Sequence, residues 1–592
     1  MSAKPANPSQ KTIGWSRIFV IITILFTAII SWTILKDLLF TPNRLVSRAI
    51  REARIAVLPF ENHTDDPSLD VLGVMASDWI IQGLVYLGNV QIVSFENIQD
   101  NLKFAQNDNG WEQFAARTGA EKVLKGTYQL DGQELVFQSE VIDTETGQAE
   151  LVMPTVKGPK GKQLLLVSQL QQKFATAFAA KGHEFSPGVA QDPPAYDAYQ
   201  LYQKGTDLYS TNFAGCIELL NQAIQKDSSF FMPYLFVTGA YFMDGEKVKA
   251  DSVFGLINRR IDIERLPQTH MQWYLHWKAI LNKDLRTAYE AIIKNFEIDP
   301  KQLMTNLETG IIANDLNMPE KSVRILGAID PEHVDLRHEF NTWWHRHYAH
   351  NLYRLGRYEE AEQILKRIPP NLRKHWNYYD RMAEILIAKH QEERLEDLMQ
   401  DLLHSDRLVS DKLLTFLFVS ERYGHRKRET EQNYWAERGL AWAMEQSDTQ
   451  ETNSYLLGNL YYLAGQFQKA LPWLQKATRE KGPNWLQVTK EGPGWLQLSR
   501  LGSCYLALGE RAKAQDTLLE MDKWYDKTKD AGYLIAQAHL YARQNDKERA
   551  MDLIREAFNK AHPYDPSGYE NDFLFVPLQG YPPFENFVHP KG

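Results

Sequence analysis

Cysteine is almost missing from this chain: Cys216 and Cys504 are its only two in 592 residues, and they lie far apart. By themselves they make neither a disulfide framework nor a zinc-ligand pattern. Clustered positive charge is missing from most of the chain as well. The net charge is -9, although residues 1–54 hold eight Lys/Arg against Asp37 and Glu52, so the remainder is strongly acidic. A body of that sign offers no phosphate-binding surface, and nucleic acid is not an expected partner. Catalytic signatures are missing too, with no Walker loop, H-E-x-x-H, G-x-S-x-G, kinase or cyclase motif. The chain therefore reads as a non-enzyme with no cofactor and no metal. Apolar residues are not missing: 44% hydrophobic and 12% aromatic content excludes wholesale disorder, and the length asks for several domains.

Uncharged apolar runs are rare, with one exception. Ile18 to Leu35 has no charge and is bracketed by Arg17 and Lys36. As a helix it spans roughly 27 Å, close to the thickness of a bilayer core. Trp15 and Trp32 suit the two interfaces. The run exceeds a usual signal-peptide core and no A-x-A-like site follows it. Residues 18–36 are read as a transmembrane helix in contact with the lipid bilayer, after a short tail, 1–17. Residues 37–54 form a basic juxtamembrane segment suited to anionic headgroups. Cations stand on both sides of the span, so the positive-inside rule does not orient it.

From Arg54 the pattern changes. Ile55 to Pro59 reads as a buried strand, Leu69 to Leu87 as a helix, and Val90 to Ser94 as a second strand. Asp131-Gly132 and Thr146-Gly147 mark turns of a meander, and Lys162 to Ala179 is helical again. The order β-α-β-α-β-β-β-α gives a small sheet with packed helices. Ile55 to Phe60, Asn62, Thr64 and Asp66-Pro67, with Val123-Leu124-Lys125-Gly126 and Ile142-Asp143 before Thr146-Gly147, resemble the bacterial TolB amino-terminal-like domain. Asp70-Val71-Leu72-Gly73 departs from that pattern, where relatives usually carry an aromatic and a small-residue pair. The resemblance implies an α/β domain over 55–186. In CadC-type regulators this domain is joined to an output domain, which the 17 residues before the span are too few to form. It further implies a bacterial cytoplasmic (inner) membrane location, the N-terminus in the cytoplasm and the bulk outside it.

After a linker, 187–194, a spacing recurs: a small residue, an aromatic three on, Gly seven on, Ala twelve on, and Leu or Ile sixteen on. Gly458, Tyr461, Gly465, Ala470 and Leu474 are the clearest copy, and Gly502, Tyr505, Gly509, Ala514 and Leu518 repeat it. Such spacing lets two antiparallel helices approach where the small residue sits. It resembles the tetratricopeptide repeat. The second-helix position recurs at Cys216, Ala250, Ala288, Ser322, Ala361, Leu395, Ala470, Ala514 and Ala550, and the gap of 75 after Leu395 conceals a degenerate copy near 436. The expected fold is mainly α: the transmembrane helix, the small α/β domain, then a tetratricopeptide-type α-solenoid of about ten hairpins over 195–562. Residues 563–592 are expected to cap its last helix.

The resemblance implies a groove that binds a protein or peptide partner, lined by Tyr202, Thr206 and Tyr209, by Arg346, His350 and Tyr353, and by Tyr455, Asn459 and Tyr462. A scaffold or adaptor without catalysis follows. The alternative is a sensory, signalling ectodomain whose α/β domain binds a small ligand or envelope component. His333, His338, His345, His347 and His350 form the one histidine cluster, but their spacing is too loose for a metal site, and packing is preferred. The block Lys481 to Arg500 is nearly one ten-residue unit written twice, and its Trp485 and Trp495 are candidates for an exposed aromatic pair.

Overall fold

The computed structural model describes residues 50, 52–88, 90–105, 110–179, 192–209, 211–334, 341–373, 376–446, 454–479, 493–560, 562–564, 569–570 and 572–589. They form two compact units: residues up to Phe95 with 120–193, and residues 96–119 with everything from Pro194 onward. The expected span 18–36 lies outside the described residues.

The first unit holds β1 (Arg54–Val57), β2 (Glu61–Asn62), α1 (Asp70–Leu87) and β3 (Gln91–Ile92). Helices α2 (Phe95–Ala105) and α3 (Gly110–Thr118) follow, then β4 (Lys122–Asp131), β5 (Glu134–Asp143), β6 (Ala149–Val152), β7 (Val156–Pro159) and α4 (Gln163–Phe178). The sheet runs β3-β1-β4-β5-β6, with β2 also on β4 and β7 also on β5. β1 is parallel to β3 and β4, and the remaining pairs of β5 are antiparallel. Gly132 and Gly147 take positive φ at the meander turns, as the dipeptides predict. Pro67–Tyr86 is apolar and long enough to cross a bilayer, but 67% of its apolar window is buried in the fold. Met75, Trp79, Ile80 and Leu84 of α1 are core residues, so this is an interior helix.

The motif residues of this unit hold its turns. Asn62 Nδ2 donates to the Asp66 carbonyl at 2.9 Å and to Asp70 Oδ1 at 2.6 Å, and Thr64 Oγ1 donates to Asn62 Oδ1 at 2.6 Å. Asp143 Oδ1 accepts from the Glu145 and Thr146 amides at 3.0 and 2.8 Å. A Cβ on Gly126 would lie 2.4 Å from the Phe60 ring, which ties the two signature stretches together across the β1–β4 pairing.

The chain segment 96–119 departs from the expected continuous domain, because it groups with the helical unit. Asn97 Nδ2 donates to the Asp299 carboxylate at 3.1 Å, Lys301 Nζ to the Ala116 carbonyl at 2.7 Å, and Arg117 Nη1 to the His333 carbonyl at 2.7 Å. Helical periodicity predicts α2 and α3 as helices but does not say which core they join.

The helical unit then stacks ten hairpins among the described residues. They are α5 (Tyr196–Thr206) with α6 (Phe213–Lys226), α7 (Phe231–Met243) with α8 (Lys247–Arg260), and α9 (Gln268–Leu281) with α10 (Leu285–Ile298). Next come α11 (Leu303–Asp315) with α12 (Pro319–Leu326), α13 (Thr342–Arg354) with α14 (Tyr358–Lys366), and α15 (Trp376–Ala388) with α16 (Glu392–His404). The last four are α17 (Val409–His425) with α18 (Glu429–Glu445), α19 (Ser454–Leu463) with α20 (Phe467–Ala477), α21 (Trp495–Ala507) with α22 (Arg511–Thr528), and α23 (Gly532–Arg543) with α24 (Lys547–Asn559). The degenerate repeat is real: Ala436 on α18 is buried like Cys216, Ala361, Leu395 and Ala470 at the same position of other hairpins. The crossing leaves no room at the small residue. A Cβ on Gly458 would lie 2.8 Å from Leu474 Cδ2, and one on Gly310 would lie 2.6 Å from Leu326 Cδ2. The turn within the hairpins takes left-handed backbone, at Gly356, Gly465 and Gly509, but also at Lys283, His390 and Lys427.

Candidate functional site: the inner face of the hairpins

The first helices of the hairpins share an inner face, and the chain's own C-terminal segment lies along it. That segment contains a 3-10 stretch, Phe573–Leu578, and the short helix α25 (Pro582–Val588). Phe587 meets Phe558 of α24, the last hairpin helix among the described residues, at a ring distance of 5.4 Å. The rest does more than cover the end. The Tyr564 amide donates to the Asp315 carbonyl at 2.9 Å, and Asn317 Nδ2 donates to the Phe587 carbonyl at 2.7 Å. Arg354 lies 4.7 Å above the Tyr564 ring and pairs with Glu570 at 3.6 Å. Gln579 Nε2 donates to the His425 carbonyl at 2.9 Å. Phe573 sits 6.0 Å from the Tyr462 ring and beneath Arg500 at 4.4 Å. His539 Nε2 pairs with Asp572 at 3.2 Å, while its ring lies 4.4 Å from Phe575. Six first helices or their ends, α11, α13, α17, α19, α21 and α23, thus hold one irregular segment.

This inner face buries charge. Arg422 Nε pairs with Glu384 at 2.9 Å, each side chain 1% exposed, and Arg381 reaches the same carboxylate at 3.0 Å. Arg500 pairs with Glu421 at 2.5 Å. Burial pushes the Asp380 carboxyl up to about 7, against the hydroxyl of Thr415 and the arginines 381, 422 and 407. Asp572 goes the other way: burial opposes its charge, but His539 and Arg500 outweigh it and hold the carboxyl far below the usual range.

The nine expected groove residues lie in or just after the first helices α5, α13 and α19, and most are buried. Tyr202 packs on Phe230 at 5.0 Å and Phe236 at 5.9 Å, and Tyr209 on Phe236 at 5.1 Å. Thr206 Oγ1 donates within its own helix, to the Gln203 carbonyl at 2.9 Å. Arg346 is buried, and burial drives His350 well below its ordinary pKa, 4.0 Å from Glu384. The Tyr353 hydroxyl accepts from Arg426 Nη2 at 2.7 Å. Tyr455 is buried, and Asn459 Nδ2 donates to its carbonyl at 2.7 Å. Tyr462 alone of the nine stacks on the tail. The residues missed were within reach of the same spacing, three before and one and four after the small residue. Applied to Gly310, Ala383, Gly424 and Ala538, it lands on Asn314, on Asp380 and Glu384, on Glu421 and His425, and on His539.

Two other candidates resolve as packing. Trp495 is 7% exposed, its indole Nε1 only 2.3 Å from the Cβ that Gly532 lacks, so it is a core side chain and not an exposed one. Trp485 lies outside the described residues. Burial pushes His345 and His347 down to about 4, and the His347 ring lies on Trp343 at 5.9 Å. His333 lies in a turn, Pro331–His333, while His338 is outside the described residues. Among the described residues no three His, Cys, Asp or Glu side chains gather as a metal would need. Burial also raises the thiols of Cys216 and Cys504, to about 11 and about 12, which leaves them unreactive.

The helical unit is thus a solenoid of tetratricopeptide-type hairpins. A tetratricopeptide repeat family model matches residues 343–367, which span α13 and α14. Among solved structures the chain is similar to a tetratricopeptide repeat protein from Parabacteroides merdae, at 11% identity, over 46% of this chain and 100% of that one, with a TM-score of 0.28. It is also similar to the C-terminal part of a TPR repeat-containing protein from Cytophaga hutchinsonii, at 12% identity, over 46% and 99% of the two chains, with a TM-score of 0.25. No curated protein matches the sequence.

Proposed function

We propose that this protein is a non-catalytic scaffold, held by residues 18–36 in a bacterial inner membrane with its bulk outside the cytoplasm, whose solenoid receives a segment of a partner protein. The observation that carries the reading is the inner face itself. Two arginines, two histidines, a tyrosine and an asparagine from six hairpins converge there on the C-terminal segment. A face that can satisfy the backbone and the side chains of one such segment has the chemistry to hold another. The apolar run of residues 18–35 supports the anchor. The resemblance of the α/β unit to the TolB amino-terminal-like domain supports the side of the membrane.

The test is photo-crosslinking in cells from a crosslinking residue placed at Tyr462. A covalent adduct with a distinct protein, identified by mass and recovered reciprocally, is expected. Adducts confined to the protein's own tail would sink the scaffold reading. A reporter fused after residue 589 reads the side of the membrane, and a cytoplasmic result would overturn that part.

A further inference from the structure

We propose that the C-terminal segment is a resident ligand of the groove, and that the partner which displaces it presents the same chemistry, a carboxylate followed by an aromatic, an aliphatic and an aromatic residue, as in Asp572-Phe573-Leu574-Phe575. This rests on the scaffold reading and names its ligand class. Each position of the segment has its own receptor. The Asp572 carboxylate meets His539 at 3.2 Å, and Phe573 lies between Arg500 at 4.4 Å and Tyr462 at 6.0 Å. Leu574 is fully buried, and Phe575 lies against His539 at 4.4 Å. Upstream, Glu570 faces Arg354 at 3.6 Å.

Three features mark the segment as a ligand as well as a piece of core. It follows no repeat period, and it is held across hairpins far away in sequence, as in the Tyr564 to Asp315 hydrogen bond. Among its described residues, regular structure is confined to one 3-10 stretch and one short helix. Beside its apolar packing, the segment is also met by charge, from Arg354, Arg500 and His539 of three different hairpins. Buried ion pairs add little to stability relative to apolar packing of the same volume, but they select for charge and register. A cationic, aromatic slot filled by an acidic, aromatic segment is what such selection produces.

The tether makes the tail a strong competitor, because an attached segment acts at an effective concentration in the millimolar range. The probe is a labelled peptide with the sequence of residues 569–580, titrated into the full-length protein and followed by anisotropy. The wild type is expected to bind it at least tenfold more weakly than a variant whose own tail carries Asp572→Asn and Phe573→Ala. Adding Arg500→Met to that variant removes binding, and a scrambled peptide does not bind either variant. Equal affinity for the wild type and the folded tail variant would overturn the proposal. Should the tail variant fail to fold, hydrogen exchange of the wild type decides. Faster exchange at 573–578 than in α19 and α23 supports a displaceable ligand, and equal protection makes the segment plain core and ends the idea. A tail variant that dimerises with wild type in proportion to concentration assigns the groove to a second copy and overturns the foreign partner. The peptide result and the crosslinking result fail separately. A protein crosslinked at Tyr462 that lacks an acidic-aromatic stretch refutes the ligand class and leaves the scaffold standing.

Discussion

Glu362 and Asp380 are both buried carboxylates in adjacent hairpins, and they are treated in opposite ways. Glu362, on the second helix α14, is met by Lys366 at 2.7 Å, Lys389 at 2.6 Å and Arg394 at 2.5 Å. Burial opposes its charge, but those partners bring its carboxyl down to about 2. Asp380, on the first helix α15, is pushed up to about 7 by burial. The second-helix layer neutralises its charges locally and leaves the packing to small apolar residues. The first-helix layer keeps charge in the interior, where Asp380 is surrounded by Thr415, Arg381, Arg422 and Arg407. Glu362 is thereby held in its charged form, whereas Asp380 is held near the balance between its two forms at neutral pH.

The contrast breaks most sharply at Glu384. Glu384→Ala strands Arg422 and Arg381 without their shared carboxylate and is expected to cost about 3–5 kcal/mol, read as a fall in the denaturation midpoint. Replacing Glu384 and Arg422 together with Met restores part of that loss, because Arg422 is removed with its carboxylate while Arg381 still loses it. In the packing layer Leu474→Ala leaves a cavity against Gly458 and is expected to cost about 3 kcal/mol at every pH.

Asp380→Asn sharpens the comparison through pH. The folded protein holds a proton on Asp380 that the unfolded chain releases above the ordinary value of 3.8. Its contribution is therefore full below pH 4 and fades as pH rises through about 7. The variant is expected to exceed the wild type by roughly 4 kcal/mol at pH 8 and to match it near pH 4. An unchanged difference across that range would show that Asp380 does not titrate as its burial requires. The smallest effect is expected at the hairpin turn, where His390 holds a left-handed backbone at φ 55° that glycine adopts without strain. His390→Gly should raise stability by up to about 1 kcal/mol.

The solenoid was legible in the sequence because its determinants are local. A small residue, an alanine twelve on and a leucine sixteen on specify one helix crossing, and the repeat near 436 follows from the gap around it. The occupant of the groove was not legible. Phe573, Leu574 and Phe575 carry no period, and nothing near them in sequence says that their neighbours are Tyr462, Arg500 and His539. The same limit explains Trp495, whose burial depends on the absent side chain of Gly532, and α2 and α3, whose helical pattern gives no sign of which core they join. The burial of Arg346, His350 and Tyr455 was not legible either, since it depends on neighbours that their own repeat does not specify.

The docking of Phe573 to Leu578 also sets an order of events during synthesis. Chains emerge N-terminus first at roughly 5–20 residues per second, so every hairpin leaves the ribosome before the segment that fills the inner face. For that interval Tyr462, Arg500 and His539 face water or whatever else is nearby. The last contacts to form, such as Asn314 with Tyr564, join parts of the helical unit 250 residues apart in sequence, and such closures are slow. The newborn protein passes through a stage in which the surface later covered by Phe573 to Leu578 is open to any other polypeptide segment within reach.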